Sequence, residues 1–157
     1  MAASAAAAAT ALLVAIGSER WIGLVPCALC LVERWPYRAA LLAALIGLVL
    51  PRRLAWWAAG AVLVCVIAAA VAAAVHVGVE QGAWPSPLPQ CQAPHFSGGT
   101  IAQRLASMPA HPSKSCEDPT LVIPALRLSM AGANLLFALA FLCCLAMFLW
   151  RSGRRPA

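Results

Sequence analysis

The residues best suited to chemistry are two cysteines in the stretch Pro26-Cys27-Ala28-Leu29-Cys30, which continues into Leu31-Val32-Glu33-Arg34. Two thiols at this spacing close a small disulfide that reopens readily. A structural disulfide gains more by closing a long loop, where more entropy is removed from the unfolded chain, so the pair reads as redox-active or as two ligands of a soft metal. The chain has seven cysteines. Cys91 and Cys116 also lie in polar or Pro-rich surroundings, whereas Cys65, Cys143 and Cys144 sit inside apolar runs and read as small core hydrophobes.

Composition places these thiols next to a bilayer. The chain is 63% hydrophobic and 10% charged with a mean hydropathy of +0.85, too little polar surface to clothe a soluble globule of 157 residues. The net charge of +6 is carried by Lys and Arg residues scattered singly or beside apolar runs. Without aromatic interleaving they do not form a nucleic-acid platform, and no nucleic-acid partner is expected.

The elements that must position the cysteines are apolar spans. Residues 2–17 form a short Ala-rich run, read as an uncleaved helix in preference to a signal peptide because no basic segment precedes it. Trp35 and Tyr37 suit a headgroup boundary before a second span, 36–50, which Pro51-Arg52-Arg53 closes. A third span, 54–77, follows at once, and a fourth occupies 128–150. The expected fold is an all-α integral membrane protein, one domain over 1–157: a four-transmembrane-helix bundle with loops at 18–35 and 78–127. The longer loop is expected to carry a short surface helix, because Ile101, Leu105 and Met108 recur at helical spacing.

Two spans separate the Cys27/Cys30 loop from the Cys91/Cys116 loop, so both lie on one face of the membrane. The positive-inside rule puts Arg52-Arg53 and the Arg151 to Arg155 tail in the cytoplasm, although Arg20, Arg34 and Arg38 weaken the asymmetry. Four thiols in polar loops make most sense where disulfides persist, outside the reducing cytosol.

Pro26-Cys27-x-x-Cys30 with Glu33-Arg34, the four-span hydropathy pattern, Trp84-Pro85-Ser86-Pro87 before Cys91, the later Cys116, and Leu128-Ser129-Met130-Ala131-Gly132 entering the last span resemble the bacterial disulfide bond formation protein B (DsbB-like) family over nearly the whole chain. The resemblance implies a multi-pass enzyme of the bacterial inner membrane, with both cysteine loops periplasmic and both termini cytoplasmic. It would reoxidise a periplasmic thioredoxin-like (DsbA-like) dithiol oxidase and pass the electrons to the membrane quinone pool, ubiquinone or menaquinone. By the family's pattern the partner attacks a Cys91–Cys116 disulfide and is held on Cys91; the released Cys116 attacks Cys27, and Cys30 is left as the thiolate facing the quinone.

Arg34 lies four residues after Cys30, on the same helical face if the segment is helical, and could serve as counter-charge to a thiolate or donate to a quinone carbonyl. The bland reading is an arginine snorkelling to headgroups. Pro36 decides whether that face exists: a helix starting at Pro36 leaves Cys30 and Arg34 in a loop, and one starting near Ala28 contains Pro36 and puts Cys27 at its N-terminus. His76, near the end of the third span, is a candidate for quinone contact or proton relay, with an ordinary interfacial histidine as the alternative. Glu80, Gln81, His95 and His111 read as solvated loop groups. From a different class comes a copper- or zinc-handling membrane protein using Cys27, Cys30 and loop thiols, but Cys91 and Cys116 are single and far apart, and no metal site is expected.

Overall fold

The computed structural model of the chain describes residues 1–91, 100–106 and 114–153. Its first helix, α1 (Ala2–Ile22), is Ala-rich and ends at Gly23, whose φ of 73° turns the chain out of the helix while its amide still bonds the Ser18 carbonyl. A side chain at that left-handed position would be strained. The helix therefore outruns its expected end at residue 17.

Leu24, Val25 and Pro26 carry the chain to Cys27, which caps α2 (Ala28–Val49) by accepting the Cys30 amide on its sulfur at 3.2 Å. The helix thus begins at Ala28, not at residue 36, and runs through Pro36. Proline lacks an amide, so the Val32 carbonyl has no helical donor there. Cys30 and Arg34 share a helix, one turn apart.

A turn at Leu50-Pro51 leads into α3 (Arg52–Glu80), whose 29 residues extend about 44 Å at 1.5 Å per residue, more than a ~30 Å hydrocarbon core. After α3, the Trp84 indole donates to the Val75 carbonyl at 3.1 Å and lies against Gly78, where any Cβ would collide with the ring. This contact folds the Pro-rich segment back on the helix, and a 3-10 turn at Pro89–Cys91 ends it.

A short helix, α4 (Ile101–Ala106), follows; Met108, His95 and His111 lie outside the described residues. Strands β1 (Leu121–Ile123) and β2 (Leu128–Ser129) pair antiparallel before α5 (Met130–Gly153). The last helix therefore starts after Ser129, because the residues expected to open it belong to the strand pair. Ser129 links the elements: its hydroxyl accepts the Gly132 amide at 3.0 Å and donates to the Glu80 carboxylate at the end of α3.

Three of the four long helices, α1, α3 and α5, are long and apolar enough to cross a membrane; the first half of α2 carries Glu33, Arg34 and Arg38. Helix α2 packs between α1 and α3, and α3 packs on α5. Alanines at 5, 8, 40, 44 and 69 interleave with Tyr37, Val62, Val66 and Phe141 in the core, a composition that lets helices approach closely in lipid. Leu13, Leu42, Trp57, Val64, Val71 and Phe148 face outward, as on a surface wetted by lipid. Cys143 and Cys144 are also exposed and so are not core fillers, whereas Cys65 is half-buried and packs against the core.

Candidate redox site

The site is assembled where α2 starts, α3 ends and the long loop returns. Capping leaves Cys27 and Cys30 with their sulfurs 2.9 Å apart and unbonded. The Cys30 thiol beside it holds the Cys27 thiol below its ordinary value, against the opposing effect of burial. Cys91 and Cys116 are joined in a disulfide and packed with Cys27, Leu29 and Val79 in one buried cluster that Cys30 borders. Backbone bonds register the two pairs: Cys27 bridges Lys114, Cys116 donates its amide to the Cys91 carbonyl at 3.2 Å, and the Ser115 hydroxyl donates to that same carbonyl at 3.1 Å.

His76 is 2% exposed, held inside the protein and not among loop groups. Its Nε2 lies 3.4 Å from the Cys27 sulfur and its Nδ1 lies 2.7 Å from Glu33 Oε1. The second Glu33 oxygen accepts from Asn134 Nδ2 at 2.6 Å, and the Tyr37 hydroxyl donates to Asn134 Oδ1 at 2.8 Å. Tyr37 is therefore buried against α5. A thiol, an imidazole and a carboxylate in this order have the connectivity of a nucleophile, its base and the group that orients the base.

Helices α1 and α5 touch little. Between them and α2 lies a cavity of about 280 Å³. Its wall is mostly apolar, with Ala, Val, Leu, Pro, Met and Phe side chains, and Cys30, Glu33, Arg34, Tyr37 and Asn134 are the groups from α2 and α5 that carry chemistry. Cys27 and His76 do not line it. Arg34 is 8% exposed; its Nη1 pairs with Glu19 Oε2 at 2.7 Å and its Nη2 reaches the Ala15 carbonyl at 3.5 Å. Its Nε is buried without a hydrogen-bond partner among the described residues. A buried guanidinium N–H with no acceptor is costly to leave so. An apolar ligand bearing a carbonyl oxygen would fit both the wall and that donor.

The sulfurs of Cys27 and Cys30 and a ring nitrogen of His76 all lie within 4.8 Å of one another. Two thiolates on one tetrahedral ion, each bonded at ~2.3 Å, would stand about 3.8 Å apart. At 2.9 Å the sulfurs are spaced for joining to each other.

Glu19, Glu33, Tyr37 and Asn134 were not singled out as site residues by the sequence. Asn134 carried a usable signal: a lone amide inside an apolar run, where a polar side chain needs a partner.

The fold and site define a helical membrane protein built for thiol–disulfide chemistry. The family model for disulfide bond formation protein DsbB matches residues 1–148, and the chain belongs to that family. No curated protein and no solved structure matches it. Membership makes the chain a disulfide-generating membrane oxidoreductase.

Proposed function

We propose that the protein transfers two electrons from a periplasmic thioredoxin-like dithiol oxidase, through Cys91/Cys116 and then Cys27/Cys30, to a membrane quinone. The observation that carries this reading is the division of the short pair: Cys27 packs on the loop disulfide, while Cys30 lines the cavity beside Arg34. In this reading α2 is a fourth membrane crossing, the cysteine loops face the periplasm of a bacterial inner membrane with α4 as a surface helix, and both termini are cytoplasmic.

The thiol exchange is taken from the family's pattern, and the shared packing of Cys27, Cys91 and Cys116 supports it. The partner's thiolate attacks Cys91 Sγ, forming a mixed disulfide and expelling Cys116 as a thiolate. Cys116 attacks Cys27 Sγ of a closed Cys27–Cys30 bond, which breaks and leaves Cys30 as a thiolate at the cavity wall. The partner's second thiolate closes its own disulfide and frees Cys91. Cys91 then attacks Cys116, restoring the loop disulfide and releasing Cys27 beside His76 Nε2. Because Cys91 and Cys116 are 0% and 1% exposed, the first attack requires the loop to open.

The cavity wall and the unpartnered Arg34 Nε fit a ubiquinone or menaquinone ring, which when bound supplies a two-electron, two-proton acceptor. Arg34 would hold a ring oxygen by its permanent charge, with Glu19 fixing the guanidinium. Cys30 presents its sulfur to the same space, and the apolar wall excludes water.

The test is oxidation of a reduced thioredoxin-like protein by purified enzyme with and without added quinone. Turnover should require quinone and disappear in Cys30→Ser. Turnover without quinone, or full activity in that variant, overturns the proposal; stoichiometric copper or zinc with no quinone reduction would replace it with metal handling.

A further inference from the structure

Closing Cys27 onto Cys30 requires that the Cys27 thiol lose its proton inside the protein. The hydrogen-bonded path from that sulfur leads to the cavity wall. His76 touches Cys27 but does not line the cavity, whereas Glu33 bonds His76 and does line it. Glu33 is 6% exposed and has both oxygens engaged from other helices, Oε1 by His76 of α3 and Oε2 by Asn134 of α5. Asn134 cannot rotate freely, since the Tyr37 hydroxyl donates to its Oδ1 and so turns its Nδ2 donors toward Glu33.

We propose that Glu33 carries the Cys27 proton from His76 to the cavity, and that Asn134 is the positioning residue that keeps Glu33 Oε1 on the imidazole. This rests on the function proposed above. In the step the Cys27 S–H bond breaks as an Nε2–H bond forms on His76, and the His76 Nδ1–H bond breaks as an O–H bond forms on Glu33 Oε1. No electron moves. One negative charge passes from Glu33 to Cys27, leaving a thiolate able to close onto Cys30 and a carboxylic acid at the wall of the cavity, where a quinone being reduced needs a proton. The other charged groups around the path are already engaged: Arg34 by Glu19, and Glu80 by Ser129.

The experiment uses quinone-free protein. With only five acidic side chains in the chain, isotope-labelled glutamate makes an infrared difference spectrum between the closed and open Cys27/Cys30 pair assignable. Opening the pair should raise a protonated-carboxyl band together with ultraviolet thiolate absorbance. Glu33→Gln should remove the band and lower the thiolate yield at neutral pH about tenfold, the effect of one charge-assisted hydrogen bond. Asn134→Leu and the milder Tyr37→Phe should reduce band and thiolate together while the Cys91–Cys116 disulfide still forms, so the proposal remains testable if Glu33→Gln fails to fold. Glu33 ionised in both redox states, or an unchanged thiolate yield in these variants, overturns it. That result alongside intact quinone-dependent turnover would remove the proton path and leave the proposed function standing, whereas loss of quinone dependence would remove the function itself.

Discussion

The two cysteine pairs are held in opposite ways. Cys27 and Cys30 share one helix start, and the groups that tune them belong to helices: the α2 amide of Cys30, His76 on α3 and, through Glu33, Asn134 on α5. Cys91 and Cys116 are joined across a separation of 25 residues, and the bonds that fasten them run to a backbone carbonyl. Chain entropy alone gives a loop of that length about 3.5 kcal/mol of stabilisation, against about 2 kcal/mol for a three-residue separation. With equal thiols, that difference favours a disulfide resting in the loop and open thiols at the helix start, as found here. On the proposed function, a closed Cys27–Cys30 bond would therefore be the stronger oxidant of the two and would take electrons from the loop pair.

The largest break in this contrast should come from His76→Ala. It strips the helix pair of its base and leaves the loop pair untouched, so quinone-dependent turnover should fall by about 10² to 10⁴, the usual contribution of a positioned acid or base, while the Cys91–Cys116 disulfide still forms. Rapid-quench trapping of thiols would show reduced Cys27 and Cys30 accumulating. Turnover within a few-fold of the native enzyme would mean that the polar chain only fills the core.

A smaller effect, confined to the other pair, should follow Gly78→Leu. The added side chain must displace the Trp84 ring, which folds the Pro-rich segment preceding Cys91 onto α3. Loss of about 1.4 kcal/mol of loop closure would raise the open population, and with it the rate at which glutathione reduces Cys91–Cys116, about tenfold. Helix content should not change. An unaltered reduction rate would show that the Trp84 contact does not hold the disulfide closed.

Much of this organisation was legible in the residues. The apolar runs, the shared side of the two cysteine loops and the CxxC pair follow from hydropathy and spacing, which are local properties. The start of α2 was ambiguous because Pro36 suits either a first helical position or an interior one; the thiol cap at Cys27, which sequence rules for Ser, Thr, Asp and Asn do not anticipate, accompanies the earlier start. The Glu33–His76–Asn134 chain joins residues 43 and 101 positions apart. Periodicity within one helix cannot say which polar side chain of another it will meet. For the same reason nothing beside Tyr37 in the chain shows that its hydroxyl finds a partner in the amide of Asn134.

The smallest effect separates the two members of the helix pair. The Cys30 thiol holds the Cys27 thiol below its ordinary value, so Cys27 is a thiolate over a wider pH range than a free cysteine. Cys30→Ala removes that donor and leaves the Cys27 cap intact. The Cys27 value should rise, so at neutral pH the thiolate fraction and the rate of alkylation by a small reagent should both fall, by several-fold. As pH rises above both values the two proteins should converge, since Cys27 is then fully ionised in each. In a background where Cys65, Cys143 and Cys144 are alanine, an alkylation profile displaced to higher pH is the expected result. A profile shifted to lower pH would mean that Cys30 had been destabilising the Cys27 thiolate. The charge would then sit first on the sulfur that lines the cavity, and His76 would be poised against the wrong thiol for the proton path from Cys27.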